Sequence, residues 1–581
     1  MTIILARTAG FCYGVRRAVT LALSQAQKEE GRLATIGPLV HNQQAIDLLE
    51  SRNISIINDP DELRKEDRVL IRAHGIIPSL RKEIQEKCSE ICDATCPHVT
   101  STQRIVERHA EKGYACLIVG DRGHAEVAGL VGYSSGKGMV IESEKDIEHV
   151  PQNEKICVVA QTTQNVEFYK EITNLIREKF PDALIFDTIC RATAQRQEEL
   201  AEIAGKSDVV VIVGGKKSAN TRRLVEIAKS MGKRTYHVET AQDLNLDEIN
   251  PRDVIGVTAG ASTPHWVIRN VVETLADFQL RKQFFLFRFL VSALRFLVYS
   301  SIFLSLGGAF LTYSAAHLMG LSDYYLNILL AFFFILSMHL INKRLSLPRD
   351  VNLLYGSQKR FARYKDAFTI LALLCIVFSL MIAFYRGKGV FTLVLLSVVL
   401  GFFYSLTILP QRLIASFRNR RLMDIPGSKD IFMALAWGLV VVFIPYMFST
   451  VKNLPAFLFS FALVAILVFL RSILLDGRDL EGDIALGKET IPIVLGSRIS
   501  QIMIRIMMVI IAVIPLTGWL SGVLPPSSIL LVILFPYLLL HYPISNRQAM
   551  YQSLFYDGYL EGQFFLSGTL LFLWEMVKKG M

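Results

Sequence analysis

The sequence predicts two halves of different class: an α/β half made of three similar units with pseudo-threefold symmetry, then an all-α polytopic membrane half of about nine helices. Length, hydropathy and an internal repeat lead there. A chain of 581 residues exceeds what one hydrophobic core supports, so two or more domains are expected. Up to about Leu280 charge is interspersed with short apolar runs. Beyond Phe284, apolar stretches long enough to span a bilayer follow one another almost to the C-terminus. Within the first half, three segments repeat one design of strand, cysteine and helix.

Runs such as Ala115 to Val119, Ile156 to Ala160 and Val209 to Val213 are predicted strands, each closely followed by Gly or polar residues and a helical pattern. The opening Met1-Thr2-Ile3-Ile4-Leu5-Ala6-Arg7 lacks the basic-then-apolar run of a secretory signal and leads into a strand, so this half is expected in the cytoplasm. A reducing compartment disfavours disulfides, which gives the seven cysteines of this half, out of eight in the chain, weight as metal or catalytic groups. The formal net charge of +10 does not imply nucleic acid. Much of it lies between apolar spans, where the positive-inside rule accounts for it.

The repeated segments are Thr8-Ala9-Gly10-Phe11-Cys12-Tyr13-Gly14, Asp93-Ala94-Thr95-Cys96-Pro97 and Asp187-Thr188-Ile189-Cys190-Arg191, at intervals of 84 and 94 residues. Three units that each offer one thiolate at a strand's C-terminal end could place three sulfurs around a common centre. Three thiolates without a fourth partner suit a four-iron cluster with one iron open to a ligand. Cys116, Cys157 and Cys375 sit inside apolar runs and read as ordinary buried cysteines. Cys88, Cys92 and Cys96 could instead form a local metal knot, but the repeat singles out Cys96 and leaves Cys88 and Cys92 on a predicted helix.

Histidines recur too. His41, His74 and His124 each follow a predicted strand beside small residues that let backbone approach a ligand, at what read as equivalent places. Hydroxyl-rich turns follow three more strands, at Gln161-Thr162-Thr163, Gly214 to Asn220 and Thr258 to Thr263. Short hydroxyls and free amides at a strand-to-helix turn cradle anions when they are not simply capping the next helix. Together, imidazoles, hydroxyls and amides suit a diphosphate.

Over residues 1 to 278 these segments resemble the 4-hydroxy-3-methylbut-2-enyl diphosphate reductases, the IspH/LytB family. The matching signatures are Ala9 to Val15, Gly37-Pro38-Leu39-Val40-His41-Asn42, Arg72-Ala73-His74-Gly75, Asp93 to Pro97, His124-Ala125-Glu126-Val127 and Thr258-Ala259-Gly260-Ala261-Ser262. The resemblance implies a trefoil of the three units with a [4Fe-4S] cluster on Cys12, Cys96 and Cys190. It implies substrate binding by His41, His74, His124, Thr162, Ser218, Asn220 and Ser262, and Glu126 as proton source. Ala219 stands where the family has a second serine, which removes one hydroxyl donor. No nicotinamide or flavin fingerprint is visible, so electrons are expected from a separate carrier such as ferredoxin or flavodoxin. The alternative is a non-catalytic redox sensor or electron carrier on a membrane anchor, against which Glu126 and the hydroxyl turns argue.

The predicted domains are residues 1–280, an amphipathic linker at 281–296, and a membrane domain at 297–581. Its spans fall at roughly 297–318, 323–342, 366–386, 389–409, 430–449, 455–475, 501–523, 527–545 and 562–577. Lys343, Arg344, Arg349, Lys359, Arg360, Arg363 and Lys365 follow the second span, and Arg412, Arg418, Arg420, Arg421 and Lys429 the fourth. Positive-inside logic puts those loops in the cytoplasm of a cell inner-membrane protein, with lipid as a partner. If helical, Asp476, Asp479 and Asp483 share one face and offer a Mg2+-diphosphate site. The stretch Asp476 to Asp483, continued by Gly487-Lys488-Glu489-Thr490, resembles the second aspartate-rich motif of the UbiA intramembrane prenyltransferases. That family's first motif, N-D-x-x-D-x-x-x-D, keeps only Asn342 and Asp350, with Lys343 and Ser346 at two carboxylate positions. The resemblance implies a transferase; because Lys343 departs from the family's motif, the site is expected to combine one Mg2+ with Asn342 and Lys343, the ammonium doing part of a second ion's work.

Overall fold

The apolar runs of the first half are strands, and their order repeats. The computed structural model describes residues 3–26, 28, 31–152, 154–281, 283–347, 356–405, 427–485, 488, 490–546 and 553–580. The strands are β1 (Ile3–Leu5), β2 (Leu33–Ile36), β3 (Ile54–Ile57), β4 (Arg68–Ile71), β5 (Glu90–Asp93) and β6 (Ala115–Val119). They continue with β7 (Gly138–Ile141), β8 (Ile156–Ala160), β9 (Leu184–Ile185), β10 (Val209–Val213), β11 (Arg234–Val238) and β12 (Ile255–Ala259). Three four-stranded parallel sheets run β3-β2-β4-β5, β7-β6-β8-β9 and β11-β10-β12-β1. β6, β8, β10 and β12 are fully buried, which explains their continuous apolar sequence: strands covered on both faces need no polar alternation.

The helices are α1 (Tyr13–Ala26), α2 (Gln43–Glu50), α3 (Pro78–Lys87), α4 (Pro97–Glu111), α5 (Ala125–Tyr133), α6 (Val166–Lys179), α7 (Arg191–Gly205), α8 (Ala219–Ser230) and α9 (His265–Arg281). Their starts are written locally. Asn42 caps α2 through Oδ1, which accepts from the Ala45 amide at 3.0 Å, and Ser218 caps α8. Cys88 only ends α3 and Cys92 lies within β5, so neither is helical as predicted. The β5 pairing, with Cys92 opposite Leu70, overrode the helical reading of that run. Among the described residues Cys88, Cys92 and Cys96 form no close donor group, while Cys116, Cys157 and Cys375 are buried.

The chain divides into two compact units, Met1–Lys282 and Gln283–Met581. The described residues of all nine predicted spans of the second fall largely on helices, residues 406–409 of the fourth lying outside them. Six helices are long and apolar enough to cross a membrane. Phe285–Tyr299 and Ile302–Leu318 form a further pair bent by 72°, and Lys388–Tyr404 is a shorter apolar helix. The last, Leu554–Gly580, carries Asp557, Glu561 and Glu575 among its apolar residues. Arg349, Asp350, Arg412, Arg418, Arg420, Arg421, Gly487 and Glu489 lie outside the described residues.

Candidate functional site

Each sheet of the first unit delivers the same parts to one cavity. The edge strands β1, β5 and β9 lead to Cys12, directly before α1, and to Cys96 and Cys190, the N-caps of α4 and α7. The two central strands of each sheet lead to the other side chains. Turns after β2 and β4 carry His41 and His74, those after β6 and β8 carry His124 and Thr162, and those after β10 and β12 carry Ser218 and Ser262. The histidines are therefore not equivalent as expected: His41 and His124 follow corresponding strands, but His74 corresponds to Thr162 and Ser262. The true repeat is two turns per sheet. All eleven predicted residues line this cavity: Cys12, His41, His74, Cys96, His124, Glu126, Thr162, Cys190, Ser218, Asn220 and Ser262.

The backbone ties the two sets of turns together. The amide of Cys12 donates to the Ala261 carbonyl, that of Cys96 to Ala73 and that of Cys190 to Thr162, each at 3.0 Å. Every cysteine is thus braced against the neighbouring turn that carries Ser262, His74 or Thr162. The sulfurs face amides in the first turns of their helices, Val15 for Cys12, His98 and Val99 for Cys96, and Ala192 and Thr193 for Cys190. Burial pushes the Cys96 and Cys190 thiols up and these amides oppose it, so a thiolate here gains most from a metal. Gly14 keeps space beside the Cys96 sulfur, since a Cβ there would lie 2.6 Å from Sγ. Three partly buried thiols and this side-chain-free space fit a cluster with three cysteine ligands.

The histidine rings cluster round one point, tilted or edge-on to one another, with centroids 5.0, 5.5 and 6.2 Å apart. Burial lowers all three, His124 to about 4 and His74 well below its usual range, while Arg72 and Lys217 add to burial at His41. Near neutral pH the rings are uncharged. His124 Nδ1 accepts from the Glu126 amide at 3.2 Å, which leaves its proton on Nε2 as a donor. His74 Nδ1 and Asn220 Nδ2 are buried without a hydrogen-bond partner among the described residues, a cost that a polar ligand removes.

Glu126 is 1% exposed in the first turn of α5. Burial raises its carboxyl to about 7 against the opposing bonds it accepts from the Thr162 amide at 2.7 Å and the Thr162 hydroxyl at 2.8 Å. A carboxyl poised near neutrality suits proton transfer. Sequence reasoning named the turn that carries Thr163 but missed the lining residues His98 and Thr193. Both stand within three residues of a predicted cysteine, so proximity was the available signal.

In the second unit, Lys343, Ser346, Arg471, Arg478, Asp479, Lys488, Asp557 and Glu561 line a cavity of about 210 Å³. Of the five residues predicted here, the cavity gathers Lys343 and Asp479. Asn342 lies in the same last helical turn as Lys343. The helix Leu454–Arg478 ends before Asp479 and a new one starts at Leu480, so Asp476 and Asp483 sit on separate helices. Asp476 pairs with Lys429, and Asp483 with Lys488 at 2.9 Å. Arg471, Asp557 and Glu561 were missed, although ionisable residues inside apolar spans are themselves a functional signal.

Residues 3–276 match the family described as LytB protein, and residues 363–558 match the UbiA prenyltransferase family. The 4-hydroxy-3-methylbut-2-enyl diphosphate reductase of Caldanaerobacter subterraneus subsp. tengcongensis is 40% identical over 282 residues, covering 48% of this chain and 98% of that protein. The solved E-1-hydroxy-2-methyl-but-2-enyl-4-diphosphate reductase of Plasmodium falciparum is 28% identical, with a TM-score of 0.46, over 48% of this chain and 89% of that one. A UbiA homolog from Archaeoglobus fulgidus bound to GPP and Mg2+ is 16% identical, with a TM-score of 0.34, over 48% of this chain and 98% of that one. The UbiA match and the apolar helices make this a multi-pass membrane protein.

Proposed function

Since the chain belongs to the LytB protein family, we propose that its first 280 residues reduce 4-hydroxy-3-methylbut-2-enyl diphosphate to isopentenyl and dimethylallyl diphosphate. The substrate takes up two electrons and two protons, its allylic C–O bond breaks, and water leaves. The observation that carries this reading is the convergence of three thiols, four imidazoles, five hydroxyls and one buried carboxyl on one cavity. An electron carrier needs the thiols but not the rest.

Cys12, Cys96 and Cys190 would hold the family's [4Fe-4S] cluster, which when bound would supply electrons one at a time and a Lewis acid. His41, His74, His124, Ser218, Asn220 and Ser262 bind the diphosphate, with His124 Nε2–H donating. Glu126 holds the proton for the departing oxygen, and the Thr162 hydroxyl and amide fix its orientation. Ferredoxin or flavodoxin supplies the electrons. The test is an anaerobic assay of the full chain with this diphosphate and a chemical reductant, products identified by mass spectrometry. Cluster reduction without product formation would favour the electron-carrier reading.

We assign residues 281–296 as a linker and 297–581 as a prenyl-diphosphate-dependent transferase in the cell inner membrane, with the reductase on the cytoplasmic side. The family match supports the transferase and the basic loops support the orientation. The Mg2+ implied by that family fits the residues poorly: among the described residues, Asp476, Asp479 and Asp483 each already pair with a lysine or arginine.

A further inference from the structure

We propose that the cavity of the second unit binds a diphosphate group without a divalent metal, its fixed ammonium and guanidinium groups taking the place of the ions. This rests on the prenyl-diphosphate reading of that unit and changes its chemistry. Lys343 stands in the last turn of the helix Tyr325–Leu345, and its Nζ donates to the Tyr299 carbonyl at 3.0 Å. Among the described residues it meets no carboxylate at ion-pair distance. A partly buried cation bonded only to a carbonyl among the described residues is costly until an anion joins it.

The carboxylates that could hold a metal are already neutralised. Arg471 pairs with Glu561 at 2.8 Å, and Arg478 pairs with Asp557 at 2.9 Å and with Asp479 at 3.0 Å. Four cationic side chains line the cavity against three carboxylates. Arg471 is 8% exposed, and its Nε has no hydrogen-bond partner among the described residues. Outside the cavity, Lys429 faces Asp476, Asp483 and Asp430 together, the position a bridging cation would take. Mg2+ demands a near-octahedral set of oxygens, so it would have to displace these cations and sit beside Lys343. A diphosphate needs no displacement: guanidinium groups bind phosphate in forked pairs and ammonium groups bind it as point charges.

The test is binding of radiolabelled geranylgeranyl diphosphate to the full chain in detergent, in EDTA and then with excess Mg2+. Affinity in EDTA should match that in Mg2+. Lys343→Ala should weaken it about tenfold or more, as loss of a hydrogen bond between charged groups does, and Lys343→Arg should retain it. Lys343→Asp should convert the site to one that needs Mg2+, a gain that misfolding cannot imitate. Binding that requires Mg2+ and ignores Lys343→Ala overturns the proposal and leaves the prenyl-diphosphate reading intact. Binding in EDTA that ignores Lys343→Ala overturns the assignment to this cavity. No binding under either condition removes the prenyl-diphosphate reading itself, and the proposal with it.

Discussion

The two units handle ionisable groups in opposite ways. In the first, the cavity is lined by side chains left uncharged and partly unsatisfied: neutral imidazoles, a carboxyl raised to about 7, orphaned nitrogens on His74 and Asn220. In the second, charges are retained and paired internally, Arg471 with Glu561 and Arg478 with two aspartates. The difference follows from what surrounds each site. A repeated α/β frame holds polar groups rigidly without partners, so their energy is released when ligand arrives. Between membrane helices an unpaired charge is costly, so most are paired internally, and Lys343, which meets no carboxylate at ion-pair distance among the described residues, becomes the binding element.

Four experiments can break or sharpen this contrast. The largest effect is expected at the thiols. Cys12→Ser, Cys96→Ser and Cys190→Ser should each lower iron content and visible absorption and abolish turnover, while Cys88→Ser and Cys92→Ser change neither. A cluster that survives Cys190→Ser but is stripped by Cys88→Ser would refute the threefold frame.

Next comes the paired unit. Glu561→Gln leaves Arg471 as a buried, uncompensated charge and should cost about 3 kcal/mol of stability, as breaking a buried pair does. The readout is the unfolding transition of the second unit in detergent. A transition that does not move would mean that internal pairing is not what holds the charges there.

In the first unit, Glu126→Gln should retain the cluster and slow reduction by about a hundredfold, the typical contribution of a positioned acid. The pH profile supplies the sign. A general acid works only while protonated, so wild-type kcat/KM should fall as pH rises through about 7, and this limb should vanish in Glu126→Gln. Thr162→Val removes one bond that favours the carboxylate and should move the limb upward. A downward shift would show that Thr162 does not hold the charged form.

The smallest effect tests independence. Residues 1–282 form a compact unit by themselves, so the truncated protein should load its cluster and keep activity within about twofold, as expected of a self-contained domain. A loaded but inactive truncation would show that the second unit contributes to reduction.

Much of the first site was legible because its geometry is periodic. Cysteines at near-equal intervals after strand-like runs announced three copies of one unit, and family signatures named the remaining side chains. What the spacing hid was strand order. Only the sheets show that β2 and β4 are adjacent central strands, and hence that the turns come in pairs. The second cavity was less legible because its bonds join distant residues: Arg478 meets Asp557 across 79 positions and Arg471 meets Glu561 across 90. Asp476 could be read along its own helix, but its partner Lys429 lies on another.

The three amide bonds from Cys12, Cys96 and Cys190 to the neighbouring turns bear on repair. They are made by backbone and leave the sulfurs free, so loss of iron should not by itself break them. A protein that has lost its cluster to oxidation therefore keeps its thiols indexed to the ligand-binding turns, and reloading should proceed without refolding. Amide exchange at these three cysteines should be slow in the iron-free protein, and catalytic competence should return at the rate of cluster insertion.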